Sequence, residues 1–352
     1  MAHYDAHSRA INYLRVSVTD RCNLRCEYCM PPEGIPWIPH DTVLRFEEIA
    51  LIVRAAAELG ISRVRLTGGE PLVRLGVCSL VRMLAEIPGV QDLSMTSNGT
   101  LLARYAGELA AAGLDRVNIS LDTLQPERFA AMTRGGRVED VLAGIEAAHQ
   151  AGLEPVKVNR VVIRGENDDD IVDLARKTLL SGWHVRYIEW MPVGETAPED
   201  EAWRHKVVTA EEMKQRISAE LGPLTADGSI FGGGPARYYR LPGAEGTIGF
   251  ITPVSEHFCY HCNRLRLTAD GQLRPCLLSD SEVDLRTPLR EGADLEQIKS
   301  LILQAIDIKP LQHHLSAVSY THLRAHETVL DLVCRLLLEK KKKSRKDNRS
   351  RV

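Results

Sequence analysis

The 352-residue chain is poor in aromatic residues, at 5%. No hydrophobic run reaches the roughly 18 residues that cross a bilayer, and the N-terminus lacks the basic-then-apolar layout of a signal peptide. A transmembrane reading is thereby set aside, and a cytoplasmic protein is expected. Eight cysteines are too few for a disulfide scaffold of this size. Charge of one sign is missing too: 44 Lys+Arg stand against 47 Asp+Glu, a net of -3. Glu339 to Val352 hold eight basic and two acidic residues, a local +6, so the remainder sums to -9. A body that acidic gives no general electrostatic reason to bind nucleic acid or a membrane surface, and any anionic ligand must be held by a few placed cations. With 44% hydrophobic residues the chain nevertheless has ample material for a core of one or two domains.

What is present is strongly clustered. Cys22, Cys26 and Cys29 form C-x3-C-x2-C, and Cys259 and Cys262 form C-x2-C, with Cys276 after thirteen intervening residues. Thiolates close in sequence converge on soft metal centres, iron–sulfur or zinc. A group of three leaves one coordination position open for something other than protein. His257 and His261 flank the second group, so a Cys3His zinc site is the competing reading there. Cys78 and Cys334 stand alone and read as ordinary small core or tail residues.

Short β-rich runs recur at Tyr13–Val18, Arg63–Thr67, Asp92–Thr96, Arg116–Leu121, Pro155–Val162 and Val185–Trp190. Helix-period segments lie between them, at Phe46–Leu59, Val77–Glu86, Leu101–Ala112, Val138–Ala151 and Ile171–Leu180, several ending at glycine. Repeated βα units predict a parallel sheet, doubly wound or curled into a full or partial barrel. The unusual residues fall where strands end, as they do at the carboxyl rim of a barrel: the first cysteines, Thr67-Gly68-Gly69-Glu70-Pro71, Thr96-Ser97-Asn98-Gly99, Ser120 and Asp122. Lys157, Asn159, Arg186 and Glu189 lie on the last two strands, and the expectation is a single functional rim. A Gly- and Pro-rich stretch over 222–249 reads as a junction to a smaller region.

The run Thr19-Asp20-Arg21-Cys22-Asn23-Leu24-Arg25-Cys26-Glu27-Tyr28-Cys29-Met30-Pro31, followed by Thr67-Gly68-Gly69-Glu70-Pro71, resembles the radical S-adenosylmethionine (SAM) superfamily. Phe258-Cys259-Tyr260-His261-Cys262-Asn263-Arg264-Leu265-Arg266-Leu267, with Arg274-Pro275-Cys276-Leu277, narrows the resemblance to the GTP 3′,8-cyclases of molybdenum cofactor biosynthesis, over about residues 10–310. This implies a partial (β/α)6 TIM-like barrel with a smaller C-terminal region: 1–225 as core, 226–315 as substrate and auxiliary-cluster region, and 316–352 as an atypical tail that reads as foreign sequence. It implies two 4Fe-4S clusters, one on Cys22, Cys26 and Cys29 that binds SAM, the other on Cys259, Cys262 and Cys276 that binds the guanine of GTP. Tyr28, Gly69, Ser120 and Met191 would contact SAM. Arg15, Arg65, Thr96, Lys157, Arg264 and Arg266 would contact GTP. The implied reaction is hydrogen abstraction at ribose C3′ and closure onto guanine C8, giving 3′,8-cyclo-7,8-dihydro-GTP. An electron donor such as a flavodoxin or ferredoxin and the next enzyme of the pathway are implied as partners, and a homodimer is left open. The rival readings are a peptide-modifying radical SAM enzyme with an auxiliary cluster, or a non-catalytic iron–sulfur or zinc protein.

The resemblance fails at one place. Family members end in Gly-Gly on a flexible tail, whereas this chain ends Arg351-Val352 and its last glycine is Gly292. The expected outcome is a chain that binds clusters, SAM and GTP but turns over slowly. Product formation matching that of a version carrying the family-type tail would contradict it.

Overall fold

The computed structural model describes residues 3–191, 201–228 and 234–312; the atypical tail and Cys334 lie outside the described residues. Eight strands run parallel: β1 Tyr13–Ser17, β2 Arg63–Thr67, β3 Asp92–Ser97, β4 Arg116–Ser120, β5 Lys157–Val162, β6 His184–Glu189, β7 Thr247–Ile251 and β8 Arg264–Leu267. Their order is β8-β1-β2-β3-β4-β5-β6-β7, inside a 12-stranded sheet whose outer members are short antiparallel strands. The six βα strands and their helices stand where the periodicity placed them, to within a residue or two at most ends. The helices are α1 Phe46–Glu58, α2 Val77–Ala85, α3 Leu102–Ala111, α4 Pro126–Thr133, α5 Val138–Gln150 and α6 Ile171–Leu180. The short α4 is the addition. The chain leaves α1 and α3 through glycines in the left-handed region, Gly60 at φ 86° and Gly113 at φ 95°.

β7 was not expected, and β8, a β-like run by its sequence, was not expected in the parallel sheet; both come from the C-terminal region. The sheet therefore continues across the 225/226 position. β7 pairs with β6, and β8 pairs with β1, with Arg266 opposite Arg15 and Arg15 opposite Arg65. The stretch over 222–249 that reads as a junction contains Arg237–Arg240 and the start of β7.

Every parallel strand alternates, and the sense is the same throughout. Leu14, Val16, Val64, Leu66, Leu93, Met95, Val117, Ile119, Val158, Val185, Ile248, Phe250, Leu265 and Leu267 belong to the apolar layer shared with the helices. The opposite face carries Arg15, Arg65, Thr96, Asn118, Lys157, Asn159, Arg186, Arg264 and Arg266. Strand period two thus sorts the chain into a greasy outer wall and a polar interior.

Arg160 departs from this sorting and faces outward. Arg160 on β5 is wholly buried and donates to Asp170 Oδ1 and Asn167 O, and to Asp170 O at 2.8 Å. Asp170 also accepts from Thr123 Oγ1 at 2.5 Å, next to Asp122. This ion pair fastens the loop after β4 to the segment before α6. Removing one partner strands a buried charge, so Arg160→Met should lower stability by about 3–5 kcal/mol in urea unfolding. Asp170→Asn in the same background should recover part of the loss.

Candidate functional site

The first cysteine loop leaves β1 and is folded by its own backbone, with Cys29 N and Met30 N both donating to Cys26 O at 2.9 and 3.1 Å. Gly68 and Gly69 pack directly beneath it. Gly69 N donates to Thr19 O at 2.8 Å and Glu70 N to Arg21 O at 2.8 Å. A Cβ on Gly69 would stand 2.2 Å from Arg21 O, and Gly68 has φ 152° with its Cβ position 2.5 Å from Thr19 O. The glycine pair is therefore demanded by close approach of two backbones, the cysteine loop and the β2 loop. Side chains complete the attachment. Asn98 Nδ2 reaches Asn23 Oδ1 at 2.9 Å and Cys22 Sγ at 3.8 Å, and buried Glu70 accepts from Asn98 N, Ser97 Oγ and Leu72 N. Tyr28 donates its hydroxyl to Asp122 Oδ2 at 2.5 Å.

A cleft of about 490 Å3 opens over this loop, lined by Cys22, Cys26, Tyr28, Gly69, Thr96 and Ser120 among others. Burial and the neighbouring Glu70 carboxylate push the Cys22 thiol up to about 12. Burial, with Cys26 next to it, also drives Cys29 well above its ordinary value. Burial raises Glu70 to about 7, against the hydrogen bonds it accepts. Left to themselves Cys22 and Cys29 stay protonated; a bound metal centre deprotonates coordinating thiols outright. Among the described residues no group of three His, Cys, Asp or Glu side chains closes round a single-ion position. Ser120 Oγ and Thr96 Oγ1 are buried without a hydrogen-bond partner. Three clustered thiols, orphaned hydroxyls and a backbone-lined wall fit an iron–sulfur cluster with a polar organic ligand beside it. Met191 follows β6 and packs on the layer of Ile163, Trp190 and Leu277, outside the lining of this cleft.

Below lies a second cleft of about 350 Å3, lined by Tyr13, Arg15, Arg65, Thr96, Asn159, Arg186, Gly234, Pro235, Ile251 and Arg264. No acidic residue is in that lining. Thr96 borders both clefts, so the two meet inside the barrel. Lys157 and Arg266 are buried close by. Burial, then the charges of Arg186, Arg116 and Arg65, lower Lys157 to about 7. Burial with Arg264 and Arg15 lowers Arg266 to about 10. Arg186 donates to Asn118 Oδ1 at 2.6 Å and leaves Nε without a partner, as Asn159 leaves Oδ1. Arg186 and Asn159 were expected among the functional residues of the last two strands, though with no ligand role, and both are in the lining. Five strands thus direct cations at one interior space, an arrangement that fits a polyanion.

The second cysteine group closes the other end of this space. Strand polarity decides the point: Asn263, just before β8, accepts at its carbonyl from Asn12 N and Tyr13 N at 3.2 Å, at the amino end of β1. The second group, expected in the smaller C-terminal region, therefore lies at the amino end of β1, because β8 is entered from the side opposite to the one where β1 is left. Cys276, Tyr28 and Met191 all pack against the same apolar cluster of Ile163, Trp190, Trp203, Val207, Leu277 and Leu278. The electrostatics also reverse. Against burial, which raises it, the charges of Arg264, Lys309 and Arg266 bring Cys262 down to about 5, with Arg264 Nη2 3.9 Å from its sulfur. Of the flanking histidines, His257 turns Nδ1 to Pro253 O at 3.1 Å and His261 is exposed.

The chain matches the family model of the Radical SAM superfamily over residues 16–178 and that of Molybdenum Cofactor Synthesis C over 183–315. It is 56% identical over 311 residues to the GTP 3′,8-cyclase of Heliobacterium modesticaldum, covering 88% of this chain and 94% of that one. The GTP 3′,8-cyclase of Pelotomaculum thermopropionicum is 54% identical over 312 residues, covering 88% and 95%. Among solved structures, Streptococcus suis SuiB bound to its precursor peptide SuiA aligns with a TM-score of 0.58 at 13% identity, over 84% of this chain and 68% of SuiB, a likeness of fold. The family models and the relatives matched over nearly their whole length agree: the chain belongs to the GTP 3′,8-cyclase family of radical SAM enzymes.

Proposed function

We propose that this chain converts GTP to 3′,8-cyclo-7,8-dihydro-GTP, the first step of molybdenum cofactor biosynthesis. In this reading Cys22, Cys26 and Cys29 hold one 4Fe-4S cluster, and Cys259, Cys262 and Cys276 the other. The observation that carries it is the placement of two thiol trios at opposite mouths of one arginine-lined interior. When bound, the first cluster and SAM supply one-electron hydrogen abstraction at the ribose 3′ carbon. Everything else is work for this chain's residues. Tyr28, Gly69 and Ser120 line the SAM side, where Ser120 Oγ has a hydrogen bond to give; Met191 joins them from the adjoining apolar layer.

Arg15, Arg65 and Arg264 line the GTP side, with Lys157 and Arg266 buried around it and Thr96 shared between the two clefts. Guanidinium forks pair bidentately with phosphate oxygens, so the triphosphate relieves the mutual repulsion of these cations while they orient the ribose toward SAM. One-electron chemistry needs an electron donor, of the flavodoxin or ferredoxin kind, and the product passes to the next enzyme; a homodimer is compatible with this reading. The division at 225/226 separates the SAM-binding core from the region that brings the second trio.

Anaerobic reconstitution followed by iron and sulfide counting tests the assignment: two clusters give about eight of each per chain. About four irons, or zinc in their place, overturns it. The lowered Lys157 gives a second test. Its free-enzyme value near 7 means that the ammonium is present below that pH and lost above it, while a bound phosphate restores it. The dissociation constant for GTP should therefore rise above pH 7 by up to about tenfold per unit. Lys157→Arg, which stays charged, should flatten that slope in calorimetric titrations. A slope equally steep in Lys157→Arg assigns the dependence to another group.

A further inference from the structure

The second trio is split along the chain. Cys259 and Cys262 lie on the approach to β8, whereas Cys276 follows a reversal through Gln272–Arg274. Antiparallel pairing of Gln272–Arg274 with β8 sets the two parts side by side, and a further tie joins them beyond the end of that ladder. Lys309, 3% exposed, donates from Nζ to Arg264 O at 2.8 Å and to Pro275 O at 2.5 Å. Arg264 stands two residues after Cys262 and Pro275 one before Cys276, so a single ammonium bridges both halves. Arg9, 6% exposed, donates from Nη1 to Cys259 O at 2.9 Å, and through Nη1 and Nη2 to Leu311 O at 3.0 Å and Pro310 O at 2.7 Å. Its Nε is paired with Asp5 Oδ2 at 2.6 Å. Arg9 thus anchors the third cysteine to the same short segment that carries Lys309.

We propose that Lys309, anchored by Arg9, is a positioning residue that sets the ligand spacing of Cys259, Cys262 and Cys276. It acts through the Arg264 and Pro275 carbonyls, and it brings sequence-distant thiols together as a charged backbone staple. A buried ammonium satisfied by two carbonyls costs far less than one left unpaired, and its removal leaves two buried acceptors empty. This inference rests on the reading of the second trio as a cluster site. The first trio, at the far mouth, serves as an internal reference in the same molecule.

The test compares the reconstituted full chain with Lys309→Met and Lys309→Arg. Wild type should carry about eight irons, Lys309→Met about four, with SAM affinity and the electron paramagnetic resonance signal of the first cluster retained. Loss of the second cluster alone is what general destabilisation does not produce. About eight irons in Lys309→Met with both cluster signals unchanged overturns the proposal. Should Lys309→Met fail to fold, Lys309→Arg decides: it keeps the charge and the donors at a different reach. A shift confined to the spectrum or reduction potential of the second cluster supports the staple; a shift in both clusters or in neither overturns it. About four irons in wild type refutes the cluster reading itself, an outcome distinct from either variant's.

Discussion

The constraint on which the structure turns is the enclosure of many like charges in one small space. Arg15, Arg186, Arg264, Arg266 and Lys157 are each less than a tenth exposed, and Arg65 stands beside them. Register sharpens the crowding, because Arg266, Arg15 and Arg65 lie level on neighbouring strands. Cross-strand neighbours of like sign repel, and burial removes the water that would screen them. Lys157 and Arg266 record the strain by giving up protons more readily than usual. The fold tolerates this because the other face of the same strands is predominantly apolar and packs on the helices. Core stability is thus generated on the outer wall and spent on an interior preorganised for a polyanion.

The two thiol groups show how position in this field sets chemistry. Cys22 is buried beside Glu70 and Cys26, so its proton is held tightly until a metal displaces it. Cys262 sits among Arg264, Lys309 and Arg266 and is ionised at neutral pH without any metal. Neighbouring cations favour the more reduced, more negative form of a cluster, which separates the two sites electrostatically before any ligand binds.

Most of the barrel was legible because its signals are periodic. The six βα units declare themselves through alternation, helix period and terminal glycines, and the two cysteine groups through spacing. The pairing of β7 and β8 was not, for an identifiable reason. β7 lies in a Gly-rich stretch, and Gly249 within it would place a Cβ 3.0 Å from Arg186 Cγ and 2.9 Å from the Tyr238 ring, so the residue that marks a linker in sequence here marks a tight strand contact. Which end of the barrel the second trio occupies was not legible, because strand direction, not loop position, decides it. Lys309 and Arg9 are isolated cations whose partners are carbonyls, which every residue possesses; no pattern can announce them.

That placement explains why the C-terminal region is inseparable from the barrel. β8 completes the lumen by adding Arg264 and Arg266 beside β1, and the same short strand is what delivers Cys262 to the amino end. An auxiliary domain hung outside the barrel would bring thiols without bringing the arginines into register. Carrying both on one parallel strand couples the position of the second trio to that of the anion-binding cations. The ladder of hydrogen bonds that holds β8 to β1 therefore fixes, in a single step, the separation between the two mouths and the depth of the cationic interior between them.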